Sequence, residues 1–354
     1  MNVLSTGHQD LIHEVAYDQS GTRIATCSSD HHIKVFELDA DGQWALAQSW
    51  KAHEGTIHSV RWAPPQYGQV LASCSEDRTM RIFQEQPARA RGPRRAAAFE
   101  RITTFSDATG TVNAIAFASA APHGLRLACI GSDCTVRVYT APDPTDLRHW
   151  TLVFQSALPV GGGGAALARG VRDFQSDYAV DWCSTAAAAL DDGRQVPLEQ
   201  FVVSAKDRVF VFRRSESTDE DAYYGRAEEL AGHGGTVHDV SWARGAAPPR
   251  EALPPAVTAA DADERVATAC KDGRVRIYVL ARRPGPAVAY DVRLAEEFAD
   301  HGHEVWKVSW NATGTILSSS GDDGKTRLWK QTYTGAYQCM GVISAEQASV
   351  NATE

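Results

Sequence analysis

The sequence predicts an all-β fold, an open six-bladed β-propeller. Two observations carry this prediction. A unit of three short strands recurs six times along the chain, and each copy is followed by one further run of alternating apolar residues. In the clearest copy, Val305–Trp310 and Ile316–Ser320 flank an Asn-Ala-Thr-Gly turn, and a second turn leads into Thr326–Trp329. Apolar alternation of period two, interrupted by turn residues, is typical of antiparallel strands.

Each copy closes its first strand with an aromatic residue: Tyr17, Trp62, Phe117, Trp182, Trp242 and Trp310. The predicted blades cover about 8–50, 53–105, 109–156, 177–230, 233–298 and 301–344. Their fourth strands are predicted at Trp44–Trp50, Phe99–Phe105, Trp150–Gln155, Tyr223–Leu230, Val292–Phe298 and Tyr337–Ile343. We therefore expect one propeller domain over residues 1–344, followed by a disordered tail at 345–354.

Composition narrows the classes of function. With 354 residues, 43% of them hydrophobic, the chain can bury a large core. Its formal charge of −9 argues against direct binding of nucleic acid, which requires a basic face. The sequence has no run of 18 apolar residues and no leader pattern, so we expect an intracellular protein without membrane insertion. Seven cysteines without a CxxC pair predict small buried side chains rather than a disulfide or zinc framework.

A polar pattern recurs in four of the six copies. A histidine lies four residues before the first strand, a serine or threonine lies four residues before the aspartate of the second turn, and an aromatic residue closes the third strand. The four sets are His8, Thr26, Asp30 and Phe36; His53, Ser73, Asp77 and Phe83; His233, Thr268, Asp272 and Tyr278; and His301, Ser319, Asp323 and Trp329.

A histidine, a hydroxyl and a carboxylate also form the catalytic triad of hydrolases. We reject that interpretation, because a catalytic set occurs once, whereas this one recurs at the same register, and no Gly-x-Ser-x-Gly turn holds any of the serines. The sets instead predict buried hydrogen-bond chains that stabilise each blade. We expect no catalytic residue, no metal site and no cofactor.

The repeats resemble those of WD-repeat propellers. The resemblance rests on the segments Thr26–Asp30 and Ser73–Asp77, on the histidine before the first strand in four repeats, and on the Trp329 position. Residues 8–36, 63–75, 139–150 and 305–330 are more specifically similar to Seh-type nucleoporins, close relatives of the Sec-thirteen coat protein. The long Ala- and Gly-rich loops of the fourth and fifth repeats depart from that pattern.

This resemblance implies a non-enzymatic scaffold of the Y-shaped subcomplex of the nuclear pore, located at the nuclear envelope. The implied partners are an α-helical nucleoporin that inserts a β-blade in trans, and other subunits of the Y-shaped subcomplex. It also implies a role in a vacuole- or lysosome-associated complex that adjusts amino-acid signalling to the TOR kinase. Two alternatives stay open: a scaffold of COPII-type vesicle coats, and an enzyme or peptide-recognition module that uses the axial channel of the propeller.

The strand count gives an independent reason to expect an open propeller. If all six units own four strands, the run Asn2, Val3, Leu4 and Ser5 within residues 1–6 is surplus. A surplus strand indicates a blade whose other strands come from a partner by β-addition. We expect that partner to contact these four residues, Ile33 and Val35 on an exposed flank of the first blade, and Leu328 on the last.

Overall fold

The computed structural model describes residues 4–86, 98–118, 124–143, 145–160, 177–183, 199–214, 224–243, 263–283 and 290–344, with the backbone alone at 187–189 and 195–197. Within these ranges the regular structure is β, apart from one 3-10 turn at Pro65–Tyr67. None of the described residues forms a helix that could cross a membrane. The predicted contacts of Asn2 and Val3 and the predicted tail at 345–354 lie outside the described residues.

The chain forms two compact units, and the first, Met1–Leu158, contains three blades. Each blade is a four-stranded antiparallel sheet whose strands follow one another in chain order. Blade 1 consists of β1 (Ile12–Tyr17), β2 (Arg23–Ser28), β3 (His32–Leu38) and β4 (Trp44–Lys51). Blade 2 consists of β5 (Ile57–Trp62), β6 (Val70–Ser75), β7 (Met80–Gln86) and β8 (Ala98–Phe105), and blade 3 of β9 (Val112–Phe117), β10 (Leu125–Gly131), β11 (Thr135–Ala141) and β12 (Thr151–Ala157).

The second unit, Pro159–Glu354, contains the other three blades. Blade 4 consists of β13 (Tyr178–Trp182), β16 (Gln200–Ala205), β17 (Arg208–Arg214) and β18 (Tyr224–Leu230), and a small hairpin of β14 (Ala187–Ala189) and β15 (Gln195–Pro197) interrupts it. Blade 5 consists of β19 (Val237–Trp242), β20 (Glu264–Cys270), β21 (Val275–Arg282) and β22 (Tyr290–Phe298), and blade 6 of β23 (Val305–Trp310), β24 (Ile316–Gly321), β25 (Lys325–Gln331) and β26 (Tyr337–Ser344). The predicted fold class, an all-β six-bladed propeller, is confirmed.

Neighbouring blades pack through apolar side chains that alternate along the strands. In unit 1, Ile33 and Val35 of blade 1 belong to one buried cluster with Ile57 and Val60 of blade 2. Ile33 is 0% exposed and Val35 is 1% exposed. The prediction that Ile33 and Val35 lie on an exposed flank is therefore wrong, because this side of β3 faces blade 2.

Hydrogen bonds also join the inner strands of neighbouring blades. In three of the four junctions that lie within a unit, a carboxylate on one inner strand accepts a backbone N–H of the next inner strand. The pairs are Glu14 with Val60 at 3.1 Å, Asp181 with Trp242 at 2.7 Å, and Asp239 with Val308 at 3.1 Å. These backbone groups face away from their own sheet, so a side chain from the adjacent blade is needed to satisfy them.

Candidate functional site

The structure brings together the histidine, hydroxyl and carboxylate of three sets. His8 lies 2.8 Å from both Asp30 and Thr26. In the second set the distances from His53 to Asp77 and Ser73 are 3.0 and 2.7 Å, and in the sixth blade those from His301 to Asp323 and Ser319 are 2.9 and 2.8 Å. An ionised carboxylate only accepts hydrogen bonds, so Nδ1–H of each ring donates to the aspartate and the hydroxyl donates to Nε2.

Among the aromatic members of the sets, only tryptophan and tyrosine carry a donor. Trp329 continues the chain of blade 6 by donating its indole N–H to Ser319 at 2.9 Å. Phe36 and Phe83 carry no polar group and are buried among apolar side chains. Tyr278 of blade 5 donates its hydroxyl to the carbonyl of Ala231.

Blade 5 departs from the pattern. His233 keeps its contact with Thr268 at 3.1 Å, but its Nδ1 has no hydrogen-bond partner within the described residues. Asp272 instead accepts from the backbone of Gly234 and from Arg276 at 2.6 Å. The aspartate and the histidine of this set therefore act separately.

An arginine is a further member of the sets that sequence reasoning missed. It lies four residues after the turn aspartate and pairs with it in four blades: Arg81 with Asp77, Arg137 with Asp133, Arg276 with Asp272, and Arg327 with Asp323. The recurring Asp-x-x-x-Arg spacing in the sequence could have predicted this pairing. In blade 1 the position holds Lys34, whose ammonium donates instead to the carbonyls of Thr6 and Gly7 at 3.1 and 2.6 Å.

The ionisation of these groups fits a structural role. Burial alone would raise the pKa of Asp30, but hydrogen bonds from Gln9, His8 and His32 lower it to about 2. The pKa of Asp323 is likewise lowered to about 2, against the effect of burial, by His301 and Arg327. Carboxylates held ionised by several donors have little capacity to transfer protons near neutral pH.

Two histidines, the buried His58 and the half-buried His233, predict a loss of stability in mild acid. Burial lowers the pKa of His58 to about 4 and that of His233 to about 4, from the ordinary 6.5. Between pH 6.5 and 4 the unfolded chain binds protons that the folded chain does not, so stability is complete above pH 6.5 and declines below it. We expect the free energy of unfolding to fall by about 1 kcal/mol per histidine between pH 7.5 and 5.5.

Urea denaturation at pH 7.5 and 5.5 measures this effect. The variant His58→Gln, whose side chain does not titrate, should lose about 1 kcal/mol less than the parent over the same interval. Equal losses in the two proteins would show that His58 is not held neutral by the fold.

Blade 1 exposes an apolar surface on the side that faces away from blade 2. We call it the distal face, and it consists of the exposed Val15, Tyr17 and Leu46, which lie over the buried Ile24 and Phe36. Cross-strand pairing places Tyr17 beside Ile24, Ile24 beside Phe36, and Phe36 beside Leu46. Val15, Tyr17 and Leu46 are 49, 60 and 54% exposed. An apolar cluster of this kind is typical of an interaction surface.

The repeat itself shows that this exposure is unusual. The residues that occupy the position of Val15 in the other five blades are Val60, Ile115, Val180, Val240 and Val308, and none is more than 4% exposed. Val15 therefore occupies a position that is covered in every other blade.

The remaining predicted contact residues lie at the two ends of the described chain. Leu4 and Ser5 lie outside any strand. Leu328 of blade 6 is half-buried and pairs with Ser318 and Gly341, on the side of its sheet away from blade 5. The surplus strand and these contacts stay predictions.

Comparison with known proteins identifies the family. The model of the WD domain, G-beta repeat, matches residues 1–37, 44–84, 99–140 and 294–330. Nucleoporin SEH1 of Saccharomyces cerevisiae is 35% identical over 389 aligned positions, which cover 98% of this chain and 100% of the relative. The chain belongs to the SEH1 family of nucleoporins.

Other members of the SEH1 family match over similar lengths. Nucleoporin seh1 of Schizosaccharomyces pombe is 31% identical over 97% of this chain and 96% of its own length. Nucleoporin SEH1 of Homo sapiens is 32% identical over 98% of this chain and 89% of its own length. As a WD-repeat member of this family, the chain is a structural scaffold and not an enzyme.

Proposed function

We propose that this SEH1 family member is a scaffold subunit of the nuclear pore complex, at the nuclear envelope, and that the distal face of blade 1 receives β-strands from an α-helical nucleoporin. The exposure of Val15, at a position that the five other blades bury, together with the exposure of Tyr17 beside it, is the observation that supports the proposal. A strand laid on this face would repeat the packing of blade 1 on blade 2. Permanent interfaces of this type bury about 2,000–5,000 Å² and are apolar.

The names of the relatives support the wider assembly that we propose. The relatives are named nucleoporins, which favours the nuclear pore over a vesicle coat. Other subunits of the Y-shaped subcomplex are the partners that we expect beside the inserting nucleoporin. A vacuole-associated complex that acts on TOR signalling is a second assembly in which the same face would be filled, and this part of the proposal rests on the resemblance alone.

Co-expression tests the proposal. The tagged chain is produced with candidate α-helical nucleoporins of the same organism, in parental form and as the double variant Val15→Asp, Tyr17→Asp. Capture should fall at least tenfold, because a partner strand would bury two unpaired carboxylates at a cost of about 1–3 kcal/mol or more each. Thermal stability of the free chain should change little, since both side chains are exposed.

The variant Tyr333→Asp is the matched control, because Tyr333 is fully exposed in the β25–β26 turn of blade 6. It should capture the partner as the parent does. If the double variant captures the helical subunit as well as the parent, the distal face is not the binding surface.

A further inference from the structure

The junctions between blades indicate what the strand on blade 1 must carry. Three carboxylates, Glu14, Asp181 and Asp239, each accept a backbone N–H from the inner strand of the following blade. A partner strand on the distal face of blade 1 would take the place that the preceding blade has in these three junctions. Its inner strand β1 therefore presents backbone donors of the same kind to that strand.

The register identifies these donors. Tyr17 pairs with Ile24 of β2, and Trp242 pairs with Val266 of β20 in the same way. The residue after each aromatic donates its backbone N–H to its own sheet: Asp18 donates to the carbonyl of Arg23, and Ala243 donates to the carbonyl of Arg265. The N–H of Tyr17 therefore points away from β2, as the N–H of Trp242 points away from β20. Within the described residues, no side chain accepts from the N–H of Tyr17.

The junction between blades 4 and 5 favours Tyr17 over Val15 as the donor. Glu14 lies next to Val15 and forms an ion pair with Arg61 at 2.8 Å. Blade 5 has the same arrangement, since Asp239 occupies the Glu14 position, and there the incoming carboxylate of Asp181 binds Trp242 at 2.7 Å rather than Val240. The position of the acceptor on the preceding strand sets this choice, because Asp181 lies one residue before Trp182, and Ser241, at the same position in blade 5, likewise accepts the N–H of Trp310 at 3.3 Å. A partner acid at that position would accept from Tyr17, farther from the like charge of Glu14 than an acid at Val15 would be.

We infer that the partner strand on blade 1 carries an aspartate or glutamate whose carboxylate accepts the N–H of Tyr17. This inference rests on the proposed function, because it specifies the partner chemistry of the same face. The partner is an extended segment with apolar side chains over Val15 and Tyr17 and one acidic residue facing the channel side of β1. The acid sets the register of the strand, since a shift by one residue would turn it to the opposite face.

Residue-resolved amide hydrogen exchange tests the inference on the full chain, free and in complex with the co-purified helical subunit. Binding should slow exchange at Tyr17 at least tenfold. Replacing the acidic residue of the partner segment that crosslinks to β1 by alanine, which has no acceptor, should return Tyr17 to the free rate and weaken binding about tenfold. The N–H of Trp242 in the variant Asp181→Ala gives the size of the same effect at a junction inside the chain.

The outcomes separate the two levels of the argument. If β1 gains protection from a segment without an acidic residue, or if Tyr17 stays protected after the acid is replaced by alanine, the inference is overturned while the proposed function stands. If no residue of β1 or β2 gains protection in the complex, both are overturned.

Discussion

Replacing Asp323 by alanine is expected to lower the free energy of unfolding by roughly 3–5 kcal/mol, the usual cost of removing one partner of a buried ion pair. Asp323 accepts from His301 at 2.9 Å and from Arg327 at 2.5 Å. Both partners are buried. Without the carboxylate, the guanidinium would retain the carbonyl of Asp300 as an acceptor but lose its counter-charge.

Urea denaturation of the parent, Asp323→Ala and Asp41→Ala measures this cost. Asp41 is an exposed turn residue of blade 1, so its replacement should change stability by no more than about 0.5 kcal/mol. A midpoint for Asp323→Ala that equals that of Asp41→Ala would refute the stabilising role of the polar sets.

Replacing Glu14 by alanine is expected to cost roughly 2–4 kcal/mol, because several donors lose one acceptor at once. Glu14 is buried and accepts from the hydroxyl of Ser59 at 2.5 Å, the N–H of Val60 at 3.1 Å and the guanidinium of Arg61 at 2.8 Å. Ser59 and Val60 are buried in blade 2, and their unpaired donors would remain there. The loss would weaken the junction of blades 1 and 2 rather than either sheet alone.

Glu37 in the same blade is the matched control. Its carboxylate pairs with Arg23 at 2.6 Å but is 45% exposed. A surface ion pair contributes about 0–1 kcal/mol, so thermal melts of the parent and both variants should show a clear loss for Glu14→Ala and almost none for Glu37→Ala. Equal destabilisation by the two variants would mean that Glu14, a carboxylate between blades, contributes no more to stability than a surface carboxylate does.

The sequence predicts the blades well because the pattern of each strand occurs in six copies that can be compared with one another. The fourth strands are the clearest example: β4 begins at Trp44 and β26 begins at Tyr337, the residues at which they are predicted. The hairpin of β14 and β15 was not predicted, because it lies inside a long loop between the first two strands of blade 4 whose sequence has no copy in the other repeats.

Strand faces were harder to assign than strands. Both sides of β3 are apolar in blade 1, with Ile33 and Val35 on one side and Phe36 on the other. Alternation alone does not say which side meets blade 2. A β-bulge opposite Val35 and Phe36 shifts the pairing with β4 and adds to the ambiguity.

For the polar residues, too, the sequence predicts contacts within one repeat better than contacts between repeats. Spacing within one repeat reveals the histidine, hydroxyl and aspartate, and it would have revealed the arginine four residues later. Contacts between repeats, such as Glu14 with Val60, have no fixed spacing because loop lengths vary between blades. The sequence also does not show that His233 and Asp272 of blade 5 are not hydrogen-bonded to each other, since both residues are present at the usual positions.

A cryo-electron microscopy structure of this chain bound to the proposed helical subunit tests most directly whether a partner strand covers the distal face of blade 1. We expect a partner strand packed on Val15 and Tyr17. A complex in which both side chains remain in solvent while the subunit binds elsewhere would contradict it.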